Sequence, residues 1–154
     1  MLDFQNISIC RKGKMVLDNF SLKAPDGVIL ALLGEDKEGK SALLKAASGG
    51  ERPEEGQIYI DGFSIYEEGK NAYCNFGYMS KEYGFYNLLK VEEYYDLFLS
   101  LYKVGARYRS RRIEEVLELL DLRQYEGAFI GELPVEVFPF LYLGKAILQE
   151  PEWL

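Results

Sequence analysis

The stretch Gly34-Glu35-Asp36-Lys37-Glu38-Gly39-Lys40-Ser41 has the spacing of a phosphate-binding loop, G-x-x-x-x-G-K-[ST]. An apolar run at residues 28–33 precedes it, and a helical pattern at residues 40–47 follows it. The motif requires this order of strand, loop and helix, because the helix then points its first amides and its positive dipole end at an anion. We therefore expect residues 28–33 to form a strand covered on both faces, and the loop to bind phosphate.

Each matched residue type of this loop has a chemical reason. Gly34 lets the chain turn sharply, and Gly39 lets the backbone approach an anion closely. Lys40 would reach the β- and γ-phosphates of a nucleotide, and the Ser41 hydroxyl would coordinate Mg²⁺. The motif thus predicts a nucleotide site with Ser41 as its metal ligand.

The composition describes a globular chain and excludes several kinds of site. The 154 residues carry 18 basic and 25 acidic side chains, for a formal net charge of −7, and hydrophobic residues make up 48%. This length suggests one domain that can bury a core. The negative charge argues against general binding of nucleic acid or of anionic membranes. Because the chain has no histidine, Ser-His and Cys-His catalysis and imidazole metal ligands are excluded.

The remaining composition favours a cytoplasmic protein. Cys10 and Cys74 are far apart in sequence, so we expect buried thiols in a reducing compartment and no cysteine metal site. The first residues lack the basic and apolar regions of a signal peptide. No apolar run approaches the roughly 20 residues needed to cross a bilayer. We expect no transmembrane segment.

Hydrophobic periodicity divides the chain into a β-rich first half and a helical second half. The predicted strands, besides residues 28–33, are residues 2–9, 16–24, 57–60 and 75–79. The predicted helices after the loop are residues 91–102, 111–122 and 137–149, with Pro139 tolerated only in a first turn.

From residue 1 to residue 154 the chain resembles the nucleotide-binding domain of ATP-binding cassette (ABC) transporters. Besides the phosphate loop, the matching segments occur in the family's order at residues 18–22, 55–62, 76–81, 88–102, 130–134 and 144–151. Their wording is closest to the drug- and sodium-exporter type of this family. The resemblance implies ATP with Mg²⁺ as ligand, and a membrane permease subunit and a second nucleotide-binding domain as partners, with the chain at the inner face of the membrane.

The fold implied by this resemblance is an α/β P-loop NTPase core with an N-terminal antiparallel β-subdomain and a helical subdomain. We expect residues 1–90 to form the core with the β-subdomain, residues 91–143 the helical subdomain, and residues 144–154 the start of the return to the core. The family's next strand, which ends in Asp-Glu, would follow Leu154, so the C-terminal core strands are expected to be missing. Such a chain should be marginally stable, dimeric or completed by another chain.

Several family positions carry unusual residues. Arg11 stands where the family has an aromatic residue that stacks on adenine, and a guanidinium plane can still stack there. Ala42 replaces a hydroxyl residue, and Lys81 replaces the glutamine of the Q-loop. The resemblance assigns Arg11, Ala42 and Lys81 to the nucleotide site. The signature sequence LSGGQ is replaced by residues 133–137, which lack its serine and both glycines.

The loop itself carries three acids and two lysines. A carboxylate about 4 Å from a phosphate costs ~1 kcal/mol in water and ~4 kcal/mol at a protein-like effective dielectric constant, so we expect weak nucleotide binding. Two interpretations of Glu35, Asp36 and Glu38 stay open at this point. In the first, the acids stabilise the helix through its positive N-terminal dipole end. In the second, one of them occupies the anion site in place of phosphate.

These observations support two functions. The chain is either the ATP-binding domain of an ABC transporter or a degenerate, non-catalytic cassette that serves as a structural or regulatory partner of an intact ATPase or permease. No catalytic residue is assigned in either case, because the family's catalytic glutamate and switch histidine have no counterpart here. We expect this chain alone not to hydrolyse ATP. A P-loop kinase or GTPase is disfavoured, because the helical segments match ABC proteins.

Two further clusters have open roles. Aromatic residues follow the Q-loop position and would either dock a permease helix or pack in the core: Tyr83, Phe85, Tyr86, Tyr94 and Tyr95. Residues 107–112 are locally basic and could contact RNA or lipid head groups, but the flanking acids favour a solvated helix start.

Overall fold

The computed structural model describes residues 1–34, 37–69, 72, 76–80 and 86–154, and of Lys37 the backbone alone. These residues form two compact units, Met1–Cys74 and Asn75–Leu154. Each unit has its own packing, and they are described in turn. The predicted boundary between the core and the helical subdomain, after residue 90, stays a prediction.

The first unit contains an antiparallel sheet with the strand order β2-β1-β3-β4. Its strands are β1 (Leu2–Arg11), β2 (Lys14–Ala24), β3 (Glu55–Ile60) and β4 (Phe63–Ser64). β1 and β2 are joined by Lys12 and Gly13, which both have positive φ, 52° and 77°, as a tight two-residue hairpin turn requires. This sheet confirms the predicted antiparallel β-subdomain.

Helix α1 (Lys37–Ala47) packs against β1 and β2. It begins three residues before the predicted start at Lys40. Its buried face consists largely of small side chains, Ala42, Ala46 and Ala47 with Leu43, so its axis can lie close to the sheet. At Gly39 a Cβ would lie 2.8 Å from the Val16 carbonyl oxygen. Glycine is therefore required at position 39 because the helix backbone lies close to β2.

The prediction of a doubly covered strand at residues 28–33 is wrong. No strand is assigned there, and Ile29 is 102% exposed and Leu33 92% exposed. A central strand needs paired strands on its sides to satisfy its backbone. Within the described residues no strand pairs with this segment.

The predicted strand at residues 75–79 is also wrong in part. Its described residues contain a single isolated parallel bridge, between Phe76 and Trp153. The Gly77 amide donates to the Trp153 carbonyl at 2.7 Å, and the Gln149 amide nitrogen donates to the Phe76 carbonyl at 3.0 Å. The bridge therefore has two supporting hydrogen bonds but does not extend into a ladder.

The second unit is helical, as predicted. Its helices are α2 (Val91–Leu101), α3 (Ala106–Leu119) and α4 (Phe138–Ile147), and short 3-10 helices occur at Arg123–Tyr125, Ile130–Glu132 and Val135–Val137. α3 begins five residues before its predicted start at Arg111. Pro139 is the second residue of α4, in the first turn where the missing N–H costs nothing.

Arg112 of α3 holds the end of α4 in place. Its guanidinium donates to the carbonyls of Ile147 at 2.7 Å and Leu148 at 2.9 Å, and it forms an ion pair with Glu150 at 3.3 Å. Carbonyls at a helix C-terminus have no partner within the helix, so the partly buried Arg112 cation satisfies them and interacts favourably with the helix dipole. This contact positions the chain just before the bridge residue Trp153.

Aromatic side chains of α2 and α4 form much of the core of this unit. Tyr94 and Tyr95 are buried, and the Tyr95 hydroxyl donates to the Leu141 carbonyl at 3.0 Å. Burial raises the pKa of Tyr95, so the hydroxyl stays a donor throughout the physiological range. Of the two roles left open for the aromatic cluster, core packing is confirmed for Tyr94 and Tyr95. Tyr83 and Phe85 lie outside the described residues.

The Tyr95 hydroxyl fits over α4 only because residue 144 is glycine. A Cβ at Gly144 would overlap that hydroxyl and lie 2.7 Å from Tyr95 Cζ. We expect Gly144→Ala to lower the free energy of unfolding by about 1–2 kcal/mol, even though alanine is normally the better helix former by about 1 kcal/mol. Thermal unfolding followed by far-ultraviolet circular dichroism measures the loss.

Gly127→Ala is the matched control, because nothing lies within 4 Å of a Cβ at that position. Adding Tyr95→Phe to Gly144→Ala should recover part of the loss, since it removes the overlapping oxygen. Equal stability of the two alanine variants would contradict this account of the α2–α4 contact.

Candidate nucleotide-binding site

The end of β1 and the start of α1 meet at a cavity of about 310 Å³. It is lined by Arg11, Lys12, Glu38 and Ser41. The β1–β2 turn places the two basic residues at this end of the sheet, and the packing of α1 on β2 brings the helix start beside them. Arg11 and Ser41, assigned to one site from different motifs, thus lie at one cavity.

Arg11 is held in a fixed orientation at this cavity. Its guanidinium forms an ion pair with the Glu51 carboxylate, which lies in the loop after α1. Its Nε is buried and has no hydrogen-bond partner among the described residues. A buried donor without a partner costs about 1–3 kcal/mol, so an acceptor oxygen from a bound molecule would be favourable there.

Lys40 contacts the loop that it belongs to. Its Nζ donates to the carbonyl oxygen of Gly34, the first residue of the motif. A Cβ at Gly34 would meet that Nζ at 3.7 Å, which is ordinary contact, and the φ of Gly34 is not positive. In this conformation, therefore, glycine is not sterically required at position 34.

Ser41 and Ala42 have opposite environments on α1. Ser41 is exposed and faces the cavity, whereas Ala42 is fully buried. The absence of a hydroxyl at position 42 is thus compatible with core packing. Glu38 is exposed in the first turn of α1 and lines the cavity.

Some predicted features lie outside the described residues. These are Lys81 at the Q-loop position, and Glu35 and Asp36 in the loop. The hypothesis that one loop acid occupies the anion site therefore stays a prediction.

Lys12 and Glu51 were not assigned to the site from the sequence, which placed both in turns or loops. The sequence did contain a signal that could have placed Lys12 at the site. A two-residue hairpin turn directly after Arg11 must put Lys12 at the same end of the sheet. The ion pair between Arg11 and Glu51 joins residues 40 apart in sequence, and no local pattern encodes it.

The residues at the cavity fit the phosphates of a nucleotide. Arg11 and Lys12 supply positive charge at its lining, and Glu38 opposes it. Among the described residues no group of three His, Cys, Asp or Glu side chains could hold a metal ion. Mg²⁺ commonly binds through a few protein oxygens together with substrate phosphates, and the exposed Ser41 hydroxyl suits that arrangement.

The segment at the signature position belongs to the second unit. Val135–Val137 form a 3-10 helix in place of a glycine-rich turn, and Val135 is 73% exposed. Pro134 and Glu136 are exposed as well. Pro134 has no amide N–H, residues 134–137 have no hydroxyl, and the exposed Glu136 carboxylate repels a phosphate.

None of the helices in the described part of the chain is long and apolar enough to cross a membrane.

Comparisons with known proteins agree on one family. The family model described as ABC transporter matches residues 17–137. A probable sulfate/thiosulfate import ATP-binding protein of Chlorella vulgaris is 27% identical over 150 residues, which cover 97% of this chain and 63% of that protein. An Fe(3+) ions import ATP-binding protein of Haemophilus influenzae is 27% identical over 155 residues, covering 99% and 46%. A probable multidrug ABC transporter ATP-binding protein of Escherichia coli is 29% identical over 136 residues, covering 88% and 23%.

Solved structures show the same fold. An ATP binding subunit of an ABC transporter superimposes with a TM-score of 0.86 at 23% identity, over 98% of this chain and 63% of that one. A dimeric bacterial ABC transporter cassette also gives a TM-score of 0.86, at 22% identity, over 98% and 71%. This chain spans less than two thirds of the length of the curated relatives named above. Since the family model covers most of its residues, the chain belongs to the ABC transporter family.

Proposed function

We propose that this chain binds a magnesium nucleotide, ATP in the first instance, at the cavity between β1 and α1, as part of the nucleotide-binding domain of an ABC transporter. The observation that carries the proposal is that Arg11 and Ser41 line the same cavity. Gly34, Gly39, Lys40 and Ala42 shape the loop and helix start around it. Lys81 remains part of the proposed site on the strength of its sequence position.

Different residues at the site would bind the phosphates, the Mg²⁺ and the base. Lys40 would exchange the Gly34 carbonyl for phosphate oxygens, and the exposed Ser41 hydroxyl would complete the coordination of Mg²⁺. Arg11, held by Glu51, would present its guanidinium plane to the base. Because Lys40 already has a partner, binding replaces one hydrogen bond by another, which lowers the net gain.

Glu38 supports the weak binding that we propose. It is exposed in the first turn of α1 and lines the cavity, so its carboxylate repels phosphate. Solvent screens an exposed carboxylate, so we expect a cost near 1 kcal/mol, the lower end of the range for charges about 4 Å apart.

We also propose that these 154 residues alone do not hydrolyse ATP. Hydrolysis needs a group that positions or activates water near the γ-phosphate. The acid that lines the cavity is Glu38. It lies in the first turn of α1, at the place proposed for phosphate, so it is not a candidate for that group.

A second candidate function is supported by the signature segment. Its exposed Pro134, Val135 and Glu136 offer no hydroxyl donor, and the Glu136 carboxylate would repel the phosphates of a nucleotide held between two subunits. This favours a degenerate cassette that pairs with an intact ATPase or a permease without contributing a complete site.

The partners of either form would be a membrane permease subunit and a second nucleotide-binding domain, with the chain at the inner, cytoplasmic face of the membrane. The names of the relatives include both import and multidrug proteins. The exporter type therefore stays a prediction that rests on the wording of the sequence.

Thermal unfolding with MgATP tests nucleotide binding and separates the two functions. Ligand at ten times its Kd stabilises the folded state by about 1.4 kcal/mol, so millimolar MgATP should raise the melting temperature if the site binds. Lys40→Ala should abolish that rise, because it removes the phosphate-binding cation. Lys45→Ala, two residues before the end of the same helix, is the control and should keep the rise.

A melting temperature unaffected by millimolar MgATP in the unchanged chain would refute nucleotide binding and favour the non-catalytic partner. A rise that persists in Lys40→Ala would place the nucleotide elsewhere.

Charge at the helix start can be tested by Glu38→Gln. Removing the carboxylate should tighten MgATP binding about fivefold, the equivalent of ~1 kcal/mol. Isothermal titration calorimetry gives the Kd. Glu67→Gln makes the same change of net charge at another exposed position of the first unit and should leave the Kd unchanged. Equal effects of both variants would show that net charge, and not Glu38, weakens binding.

The absence of hydrolysis can be measured by phosphate release from this chain at millimolar MgATP. We expect a rate indistinguishable from that of the Lys40→Ala variant. Turnover at the rates usual for enzymes, about 1 per second or more, and abolished in that variant, would overturn the proposal.

A further inference from the structure

The turn between α2 and α3 concentrates positive charge in an acidic protein. Residues 101–112 contain one lysine and four arginines and no acid, whereas the whole chain has a net charge of −7. Part of this charge is neutralised within the unit: Arg109 pairs with Asp96 at 3.2 Å, and Arg112 is bound to the end of α4. The cations at the surface are Lys103, Arg107 and Arg111, of which Arg111 pairs with Glu115 at 2.8 Å.

Apolar side chains are exposed among these cations. Leu101 is 63% exposed, Tyr102 39% and Tyr108 65%. We call the surface that they form with the three cations the basic tip, which consists of Leu101, Tyr102, Lys103, Arg107, Tyr108 and Arg111. Exposed leucine and tyrosine next to Lys and Arg is the pattern of a segment that lies at a membrane interface, with rings at the level of the head groups and cations beside the phosphates.

The backbone at the tip presents its charge outward. Lys103 has a φ of 60° and follows α2 at the position where helices usually end in glycine. The amides of Lys103 and Val104 donate to the carbonyls of Ser100 and Leu99 at 3.0 and 2.9 Å, which fixes this turn. Neither Lys103 nor Arg107 forms an ion pair with the described residues, so both can meet an external anion.

The acids near the tip, Asp96, Glu115 and Glu150, each form an ion pair with an arginine. Asp96 is five residues before Leu101 on α2, and Glu115 is eight residues after Arg107 on α3, which at 1.5 Å per residue is about 8 and 12 Å along the helices. Glu115 accepts from Arg111 at 2.8 Å, so Arg111 is the cation whose charge is partly balanced. Lys103 and Arg107 are thus the tip cations whose charge is not balanced by an ion pair among the described residues.

We propose that the basic tip binds the surface of an anionic phospholipid membrane. Charge complementarity supports this occupant, because the tip is cationic in an anionic chain, and the exposed tyrosines and leucine give the surface apolar contacts that a free phosphate would not use. RNA shares the phosphate chemistry, but the apolar side chains exposed beside the cations, Leu101 and Tyr108, suit a lipid interface better than a phosphate backbone.

The test is co-sedimentation of the full chain with vesicles at 0.1 M salt. Vesicles of phosphatidylcholine with about 30% phosphatidylserine should bind the chain, and vesicles of phosphatidylcholine alone should not. A basic residue near such a surface contributes about fivefold in affinity, so Lys103→Gln with Arg107→Gln should weaken binding by roughly 25-fold. Tyr108→Ala should weaken it without changing the charge.

The control carries the same change of net charge elsewhere. Lys14→Gln with Arg123→Gln removes two exposed cations outside the tip and should retain binding within about twofold. Equal loss in the two double variants would refute a specific tip. Binding to a single-stranded RNA oligonucleotide in place of vesicles, lost in the tip variant, would overturn the lipid assignment in favour of nucleic acid. Binding to neither overturns the proposal.

Discussion

The close packing of α1 against the β1–β2 hairpin determines where the site can form. At Gly39 the helix backbone is so near the Val16 carbonyl that no side chain fits, and the alanines of the buried face allow the same approach further along. This contact brings the helix start beside the end of β1, where Arg11 lies. The glycine that the motif reserves for an anion therefore also holds the helix on the sheet, so its replacement would disturb the fold and the site together.

The sequence predicted the local elements well because their signals are local. The hairpin of β1 and β2 and the helices of the second unit follow from periodicity and turn residues. The observed starts of α1 and α3 lie three and five residues before the predicted ones. The predicted strand at residues 28–33 failed for a different reason. An apolar run indicates that a segment would be buried, but burial needs strands to pair with it, and pairing is a property of the whole sheet.

The candidate site was predictable in part. The loop residues came from a motif, and Arg11 came from the resemblance to the family, and the structure brings Arg11 to the same cavity as Ser41. Lys12 could have been added from the hairpin turn. The partner of Arg11 could not be predicted, because Glu51 is far away in sequence and the loop between α1 and β3, residues 48–54, contains a second acid, Glu54. Likewise, the contact of Arg112 with the end of α4 depends on how two helices pack, which no pattern within either helix specifies.

The exposed residues 28–33 have a consequence for handling the protein. Val28-Ile29-Leu30-Ala31-Leu32-Leu33 contains six apolar residues with no charge and no proline, and much of this surface is in contact with water. Short uncharged apolar segments that have no strand beside them are templates for intermolecular β-pairing. We therefore expect self-association through these six residues to limit the concentration at which the binding properties of the chain can be measured.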